Sequence, residues 1–250
     1  MTTDKKTKRD TVFAKQNDML VDFVFDEKVT HVFPDMIRRS VPGYDVIIPL
    51  LGVFAERYAK RDTNIYDLGC SLGAATLAMR RRITQDGCQI IAVDNSESMV
   101  TQCRVNVSND KNKNSASVDV RCEDILDVAI QNASIVVINF TLQFIKPELR
   151  EKLLRDIFAG LNPGGVLLIA DKIVFTNQQE TQFQADMHTQ FKRANGYSEL
   201  EIAQKRTALE NILVADTITQ HQQRLSSVGF ENINIWFQCF NFAGICAIKS

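Results

Sequence analysis

Residues 66–82 read YDLGCSLGAATLAMRRR. A short apolar run delivers the chain to Gly69, a second glycine follows at Gly73, and the remainder has helical character with a basic end. A strand that turns tightly into a helix presents backbone N–H groups where the helix begins, which suits a carboxylate, a phosphate or a sugar edge. The G-x-x-x-G spacing is not the G-x-G-x-x-G of dinucleotide enzymes, and a merely tight turn could use the same two glycines.

Outward from this turn, short β-branched runs alternate with helical stretches. The strands are expected at Ile65–Leu68, Gln89–Val93, Val118–Cys122, Ser134–Asn139 and Gly165–Ala170, with helices near 73–83, 96–107 and 147–160. That order describes βαβ units, hence a mostly parallel sheet with helices on both faces. Upstream, Val32, Phe33, Met36 and Ile37 recur at helical spacing, Pro42-Gly43 breaks the chain, and a second apolar helix runs from Tyr44 to about Tyr58. A helical tract at 178–228 precedes two last strands, FENINIWFQCF and FAGICAIK, completing a seven-stranded α/β arrangement with an inserted helical cap. The expected organisation is one domain over 1–250, with an N-terminal helical segment (1–62) and a helical insertion (172–228). The stretch NDKNKNSAS, 109–117, reads as a solvated loop.

A chain of 250 residues with 45% hydrophobic content can bury one sizeable core. Its net charge of -1 supplies no global field for nucleic acid, and direct binding to nucleic acid is not expected. Met1 to Asp10 lacks an apolar stretch, so neither a signal peptide nor a lipid anchor is read, and a cytoplasmic protein without membrane association is expected. Six scattered cysteines without a C-x-x-C pair argue for reduced, mostly buried thiols and against a metal site. His31, His188 and His221 show neither triad nor metal spacing, and none is assigned catalysis. The basic run Arg80, Arg81 and Arg82 hints at RNA, but it also complements a helix dipole, the reading preferred here.

The later strands add polar groups at the carboxyl edge, where open α/β sheets place ligands. IIAVDNS ends a strand at Asp94, whose carboxylate can accept from both hydroxyls of a ribose. Asn95 and Ser96 beside it are good helix caps, and Asp94 stands one step early for that role. VRCEDI supplies Asp124, able to accept from an exocyclic amine, beside Ile125, able to pack on a base. Asn139 closes the fourth strand, where it could contact a ligand or brace a loop. These points together describe the S-adenosylmethionine site of a Rossmann-like methyltransferase fold, in which the turn's free amides suit the ligand's carboxylate.

VFPDMIRRSVPGY (32–44), NFTLQF (139–144), FKRANGYSELEIAQKR (191–206) and WFQCFNF (236–242) closely resemble the carboxy-S-adenosyl-L-methionine synthase family, from about Val24 to Lys249. The resemblance implies an enzyme that combines S-adenosyl-L-methionine with prephenate, giving carboxy-S-adenosyl-L-methionine and phenylpyruvate. It further implies a homodimer whose product feeds a tRNA carboxymethyltransferase acting on the wobble uridine. Carried onto this chain, the ligand contacts would be Tyr44, Gly69, Cys70, Ser71, Asp94, Asn95, Asp124, Ile125, Asn139 and Arg206.

Carboxylation places a negative charge where a methyl group stood, so a site retaining the product needs a fixed cation, and arginine binds carboxylate with a planar fork. Residues alone leave Lys205 and Arg206 equal, and leave open a solvated helix face opposite Glu199 and Glu201; the resemblance selects Arg206 as the catalytic cation. Prephenate is a dicarboxylate, so further cations should line its approach, with Lys192 and Arg193 the next candidates. No catalytic dyad is visible, consistent with proximity, water exclusion and electrostatics carrying the reaction. The competing readings are a conventional methyltransferase of a small molecule or tRNA, and a non-catalytic nucleotide-binding protein.

Overall fold

Alternating apolar residues in the central strands point to both faces of one sheet, and each face carries its own core. In the computed structural model, which describes residues 9–12, 27–111, 116–210 and 212–250, the element order is as follows. Helices α1 (Glu27–Ser40) and α2 (Tyr44–Tyr58) precede β1 (Asn64–Leu68), α3 (Ala74–Arg80), β2 (Gln89–Asp94), α4 (Glu97–Asn109) and β3 (Ser117–Cys122). Then come β4 (Ala133–Asn139), α5 (Pro147–Gly160), β5 (Leu161–Lys172), α6 (Gln178–Ala194), α7 (Glu199–Glu210), α8 (Ile218–Ser227), β6 (Asn232–Cys239) and β7 (Phe242–Ile248).

The seven strands lie in the order β3-β2-β1-β4-β5-β7-β6. The first five are parallel, whereas β7 runs antiparallel to both β5 and β6. Strand order reverses between β1 and β4, so the crevice for a ligand opens at their carboxyl ends, where Gly69 and Asn139 stand. One face packs Leu68, Val93, Val136, Ile138 and Leu167 against Leu153, Leu154 and Ile157 of α5 and Leu225 of α8. The other packs Ile65, Ile90, Ile135, Val137 and Leu168 against Ile47 and Leu51 of α2 and Met79 of α3. Burying strands on both faces explains their nearly unbroken Ile/Val/Leu composition.

Several sequence boundaries move. Strand β5 begins at Leu161, before the expected Gly165, because Leu161 pairs with Ala133 and the chain bulges before Val166 rejoins at Ile135. The helical tract at 178–228 is three helices, broken first at Gly196, whose φ of 81° ends α6, and again before Thr217, which opens α8 with a capping box to Gln220. Helix α4 runs on to Asn109, and 112–115 of the expected loop lie outside the described residues, as does the greater part of Met1 to Asp10.

A bulge between Ile235 and Phe237 puts Trp236 and Phe237 on the same apolar cluster, beneath α2. The turn reverses through Phe240, at φ 49°, so the strand ends at Cys239.

Candidate functional site

The first glycine cannot be replaced without penalty. Gly69 has φ 83°, and a Cβ there would sit 2.1 Å from Thr141 Oγ1, so β1 can leave the sheet beside the loop after β4 only through glycine. Gly73 (φ 82°) is the N-cap of α3, and a Cβ there would meet Cys103 Sγ at 2.7 Å.

The turn's amides are engaged, contrary to the expectation of free donors. Gly69 and Cys70 both donate to Val93 O, at 2.8 and 2.9 Å, Gly73 donates to Cys70 O at 2.8 Å, and Ser71 donates to Asp94 Oδ2 at 2.9 Å. Parallel pairing with β2 draws the turn onto its neighbour and uses those donors. At the first turn of α3, where Ala74 and Ala75 line the cavity, the N–H groups lack intrahelical acceptors.

All ten residues named from the sequence line one cavity of about 1360 Å³ above the β1/β4 switch point. Asp94 accepts from the Ser71 and Ser96 amides at 2.9 Å each, while Ser96 caps α4; burial nonetheless raises its carboxyl above the ordinary range. A carboxylate has about four acceptor positions, so two remain for hydroxyl donors. Asp124 accepts from the Leu126 amide at 2.9 Å, which fixes its turn beside the buried Ile125. Tyr44 opens α2 after the left-handed Gly43, and burial raises its phenol, which therefore stays protonated. Cys70 is held as a thiol by its hydrogen bond with Cys103 and by burial, so it is not a nucleophile.

One acid of this site went unread in the sequence. Asp67, the penultimate residue of β1, is 1% exposed, accepts from Thr76 Oγ1 at 2.5 Å, and is pushed up to about 6 by burial. Its signal was an acid inside an otherwise apolar strand. Asp67 Oδ1 and Asn139 Oδ1 are both buried with no hydrogen-bond partner, and both residues border the cavity. Such orphaned acceptors are costly. The ammonium, ribose hydroxyls and adenine amine of S-adenosylmethionine are the donor types that this set of acceptors fits.

The far side of the cavity is cationic. Lys172 from β5, Lys192 from α6 and Arg206 from α7 all line it. Lys205 and Arg206, inseparable in the sequence, separate here. Lys205 is 4% exposed and donates to Asp10, Ser40 and Tyr197 at 3.2, 2.9 and 2.9 Å, locking α7 to the N-terminal region, while Arg206 is exposed along the cavity wall. The reading of both as a solvated face is therefore overturned for Lys205. Arg193 is also corrected: it forks onto Glu199 and is not part of the cavity wall. His188 lines the cavity, but burial and Lys192 depress it to about 3 and its Nε2 donates to Ser40 O at 2.7 Å, a neutral tether between α6 and α1.

Elsewhere, Arg81 and Arg82 pair with Asp110 and Glu56, and Arg80 donates to Ala116 O and Val107 O, so the basic run is tied to its own chain. All six cysteines are free; Cys70, Cys88, Cys103 and Cys246 are buried and Cys122 is exposed. Among the described residues no group of His, Cys, Asp and Glu could hold a metal ion, and no helix is long and apolar enough to cross a membrane.

Residues 65–165 match the family described as "Methyltransferase domain". Carboxy-S-adenosyl-L-methionine synthase of Vibrio cholerae serotype O1 is 54% identical over 241 residues, 96% of this chain and 97% of that protein. The protein of the same name from Shewanella putrefaciens is 56% identical over 243 residues, 97% of this chain and 99% of its own. Among solved structures, human N-acetylserotonin methyltransferase in complex with SAM superposes with a TM-score of 0.58 at 16% identity, covering 89% of this chain and 55% of that one. A SAM-dependent methyltransferase from Methanosarcina mazei does so with 0.57 at 14% identity, covering 78% and 96%. At these identities the superpositions establish the methyltransferase Rossmann-like fold.

Proposed function

The chain belongs to the carboxy-S-adenosyl-L-methionine synthase family, which makes it a transferase, and from that premise we propose that it converts S-adenosyl-L-methionine and prephenate to carboxy-S-adenosyl-L-methionine and phenylpyruvate. The observation that supports this reading over a conventional methyl transfer is the polarity of the cavity. Asp67, Asp94 and Asp124 line the end suited to a cationic nucleoside, and Lys172, Lys192 and Arg206 line the end suited to carboxylates.

When bound, S-adenosylmethionine supplies a sulfonium whose methyl protons are acidic. Asp67 and Asn139 hold its amine end and body, Asp94 the ribose, and Asp124 with Ile125 the base. Prephenate loses its ring carboxylate as carbon dioxide and its ring hydroxyl as hydroxide when the ring aromatises to phenylpyruvate. Hydroxide takes the methyl proton, becoming water, and carbon dioxide joins the methyl carbon through one new carbon–carbon bond. Arg206 pairs with the carboxylate so formed, and the cap formed by α6 and α7 keeps carbon dioxide and the reacting groups from bulk water.

The same reading takes 1–250 as one catalytic unit, working as a cytoplasmic homodimer and feeding a tRNA carboxymethyltransferase, without itself holding nucleic acid. The deciding experiment weighs the nucleoside released from the purified protein before and after incubation with both substrates. A product heavier by one carboxylate, formed with stoichiometric phenylpyruvate, is expected. Methylated acceptor with S-adenosylhomocysteine would establish the conventional methyltransferase instead, and retained ligand without turnover a binding protein.

A further inference from the structure

Among the described residues, three buried acceptors without a hydrogen-bond partner border the cavity: Asp67 Oδ1, Asn139 Oδ1 and Asn241 Oδ1. The first two stand on β1 and β4, among the nucleoside contacts. Asn241 is 7% exposed and lies in the turn between β6 and β7. Ala170 of β5 pairs with Asn139 on one side and Gly244 of β7 on the other, so Asn241 is two strand spacings, about 10 Å, across the sheet from Asn139 and further out along the strands. That is the end of the cavity that Lys172 also lines. We propose that Asn241 Oδ1 receives the ring hydroxyl of the second substrate, an assignment that rests on the reaction proposed above and adds to it the residue that recognises the leaving oxygen.

A carbonyl oxygen can only accept, so what Asn241 Oδ1 lacks is an O–H or N–H donor. Prephenate with both carboxylates ionised has one, the hydroxyl of its ring; its carboxylates and ketone are themselves acceptors. The other amide on this side of the cavity is already engaged, for Gln143 Oε1 accepts from the Lys172 amide at 2.9 Å and Gln143 Nε2 donates to Phe140 O at 3.3 Å. Asn241 itself is held from both sides. Its carbonyl accepts from the Ile173 amide at 2.8 Å, and Phe242 beside it packs edge-on against His188 and Phe140, with ring centroids 4.9 and 6.0 Å apart. An acceptor fixed in this way is in place before the substrate arrives. By taking the hydroxyl proton it turns the lone pairs of that oxygen toward the cavity, where the oxygen, departing with its bonding pair as hydroxide, takes the methyl proton.

Calorimetric titration of the S-adenosylmethionine-loaded protein with tetrahydroprephenate, whose saturated ring cannot aromatise, and with its 4-deoxy counterpart tests this. Both probes carry the same two carboxylates, so the ratio of their affinities isolates the hydroxyl. Wild type should prefer the hydroxylated compound by about tenfold. Asn241→Leu, of similar shape without the acceptor, should bind both alike and, with prephenate, should lose about tenfold in kcat/KM. Asn241→Asp keeps an acceptor oxygen and should keep the preference. Because Oδ1 has no partner in the protein, Asn241→Leu should melt no lower than wild type and bind S-adenosylmethionine as tightly. A lower melting temperature with both affinities reduced equally would mark Asn241 as structural and overturn the assignment. So would the absence of a preference in wild type, or a preference that survives in Asn241→Leu, even where carboxylated nucleoside is formed. A preference that depends on Asn241, in a protein that makes no carboxylated nucleoside from prephenate, would support the hydroxyl site and reject the proposed reaction.

Discussion

Lys205 Nζ donates to Asp10 Oδ2 at 3.2 Å across 195 residues of sequence, and both side chains are almost fully buried. The Tyr197 hydroxyl donates to the same carboxylate oxygen at 2.5 Å, so one acid near the N-terminus ties down both the α6–α7 loop and the middle of α7. Burial lowers Lys205 to about 8, and removing its acid would leave a buried cation unmatched. Asp10→Asn should therefore destabilise the fold by about 3–5 kcal/mol, and Lys205→Met in the same chain should restore much of that loss. Urea denaturation of the two single variants and the double variant measures it; additive losses would show that the pair is not coupled.

Asp67 carries a pH dependence of the opposite sense to an ordinary ion-paired acid. Its ordinary value is 3.8 and burial raises it to about 6, so the folded chain holds a proton that the unfolded chain has released between those values. Stability contributed by this group accordingly falls as pH rises from about 4 to 6 and is flat above. A ligand ammonium favours the ionised form. S-adenosylmethionine should bind about tenfold more weakly at pH 5 than at pH 7, with Asp94, also raised by burial, acting in the same direction. Equilibrium dialysis across that range is the measurement, and Asp67→Asn should flatten its Asp67 component while raising the stability of the ligand-free protein.

Gly69→Ala meets two obstacles: a left-handed backbone and the side chain of Thr141. The backbone contribution alone is about 1–3 kcal/mol, and Thr141→Ala in the same chain should relieve only the clash. A melting temperature that returns to the wild-type value in the double variant would show that φ is not the limiting factor.

Arg206→Ala should abolish the carboxylated product with the melting temperature intact, since the side chain is exposed along the cavity wall. Arg206→Lys keeps the charge but not the planar fork and should retain a small fraction of activity. Normal product yield from the alanine variant would remove Arg206 from the site.

Behind the cavity, Arg150 is 1% exposed and donates to Asp216 Oδ2 at 2.6 Å, where Arg224 also donates at 2.7 Å. Burial works to raise Asp216, but the hydrogen bonds from Arg224 and Arg150 outweigh it and hold the acid below the ordinary range. Arg150 also donates to Val214 O at 2.7 Å and Ile145 O at 2.8 Å, fixing the segment between α7 and α8 to the loop after β4. Asp216→Asn should cost about 3–5 kcal/mol at neutral pH, with the difference from wild type narrowing as acid protonates Asp216. Parallel denaturation curves at pH 7 and pH 3 would reveal it.

The parallel sheet was legible because strands buried on both faces must be apolar, and the glycine turn because its two backbone positions are left-handed. Asp94, Asp124 and Asn139 were legible as candidates because Asp94 and Asn139 end strands and Asp124 follows the end of β3, all at the same edge. Asp67 was not: an acid within a strand gives no hint of which face it takes, and only packing against Thr76 turns it to the cavity. The free amides expected at Gly69–Ser71 failed for a related reason, since their acceptors, Val93 O and Asp94, belong to the next strand.

By itself the sequence determined the order of strands and helices, the glycine turn and the acids at or just past the strand ends, because periodicity and backbone chirality act over a few residues. Tertiary structure alone decided that Lys205 is a buried lock and Arg206 a cavity wall. The two are neighbours in the chain, and what separates them is Asp10, Ser40 and Tyr197 arriving from distant elements. Burial and long-range charge set the roles of Asp67, Lys192 and His188 in the same way, for both depend on what the whole fold brings near a side chain.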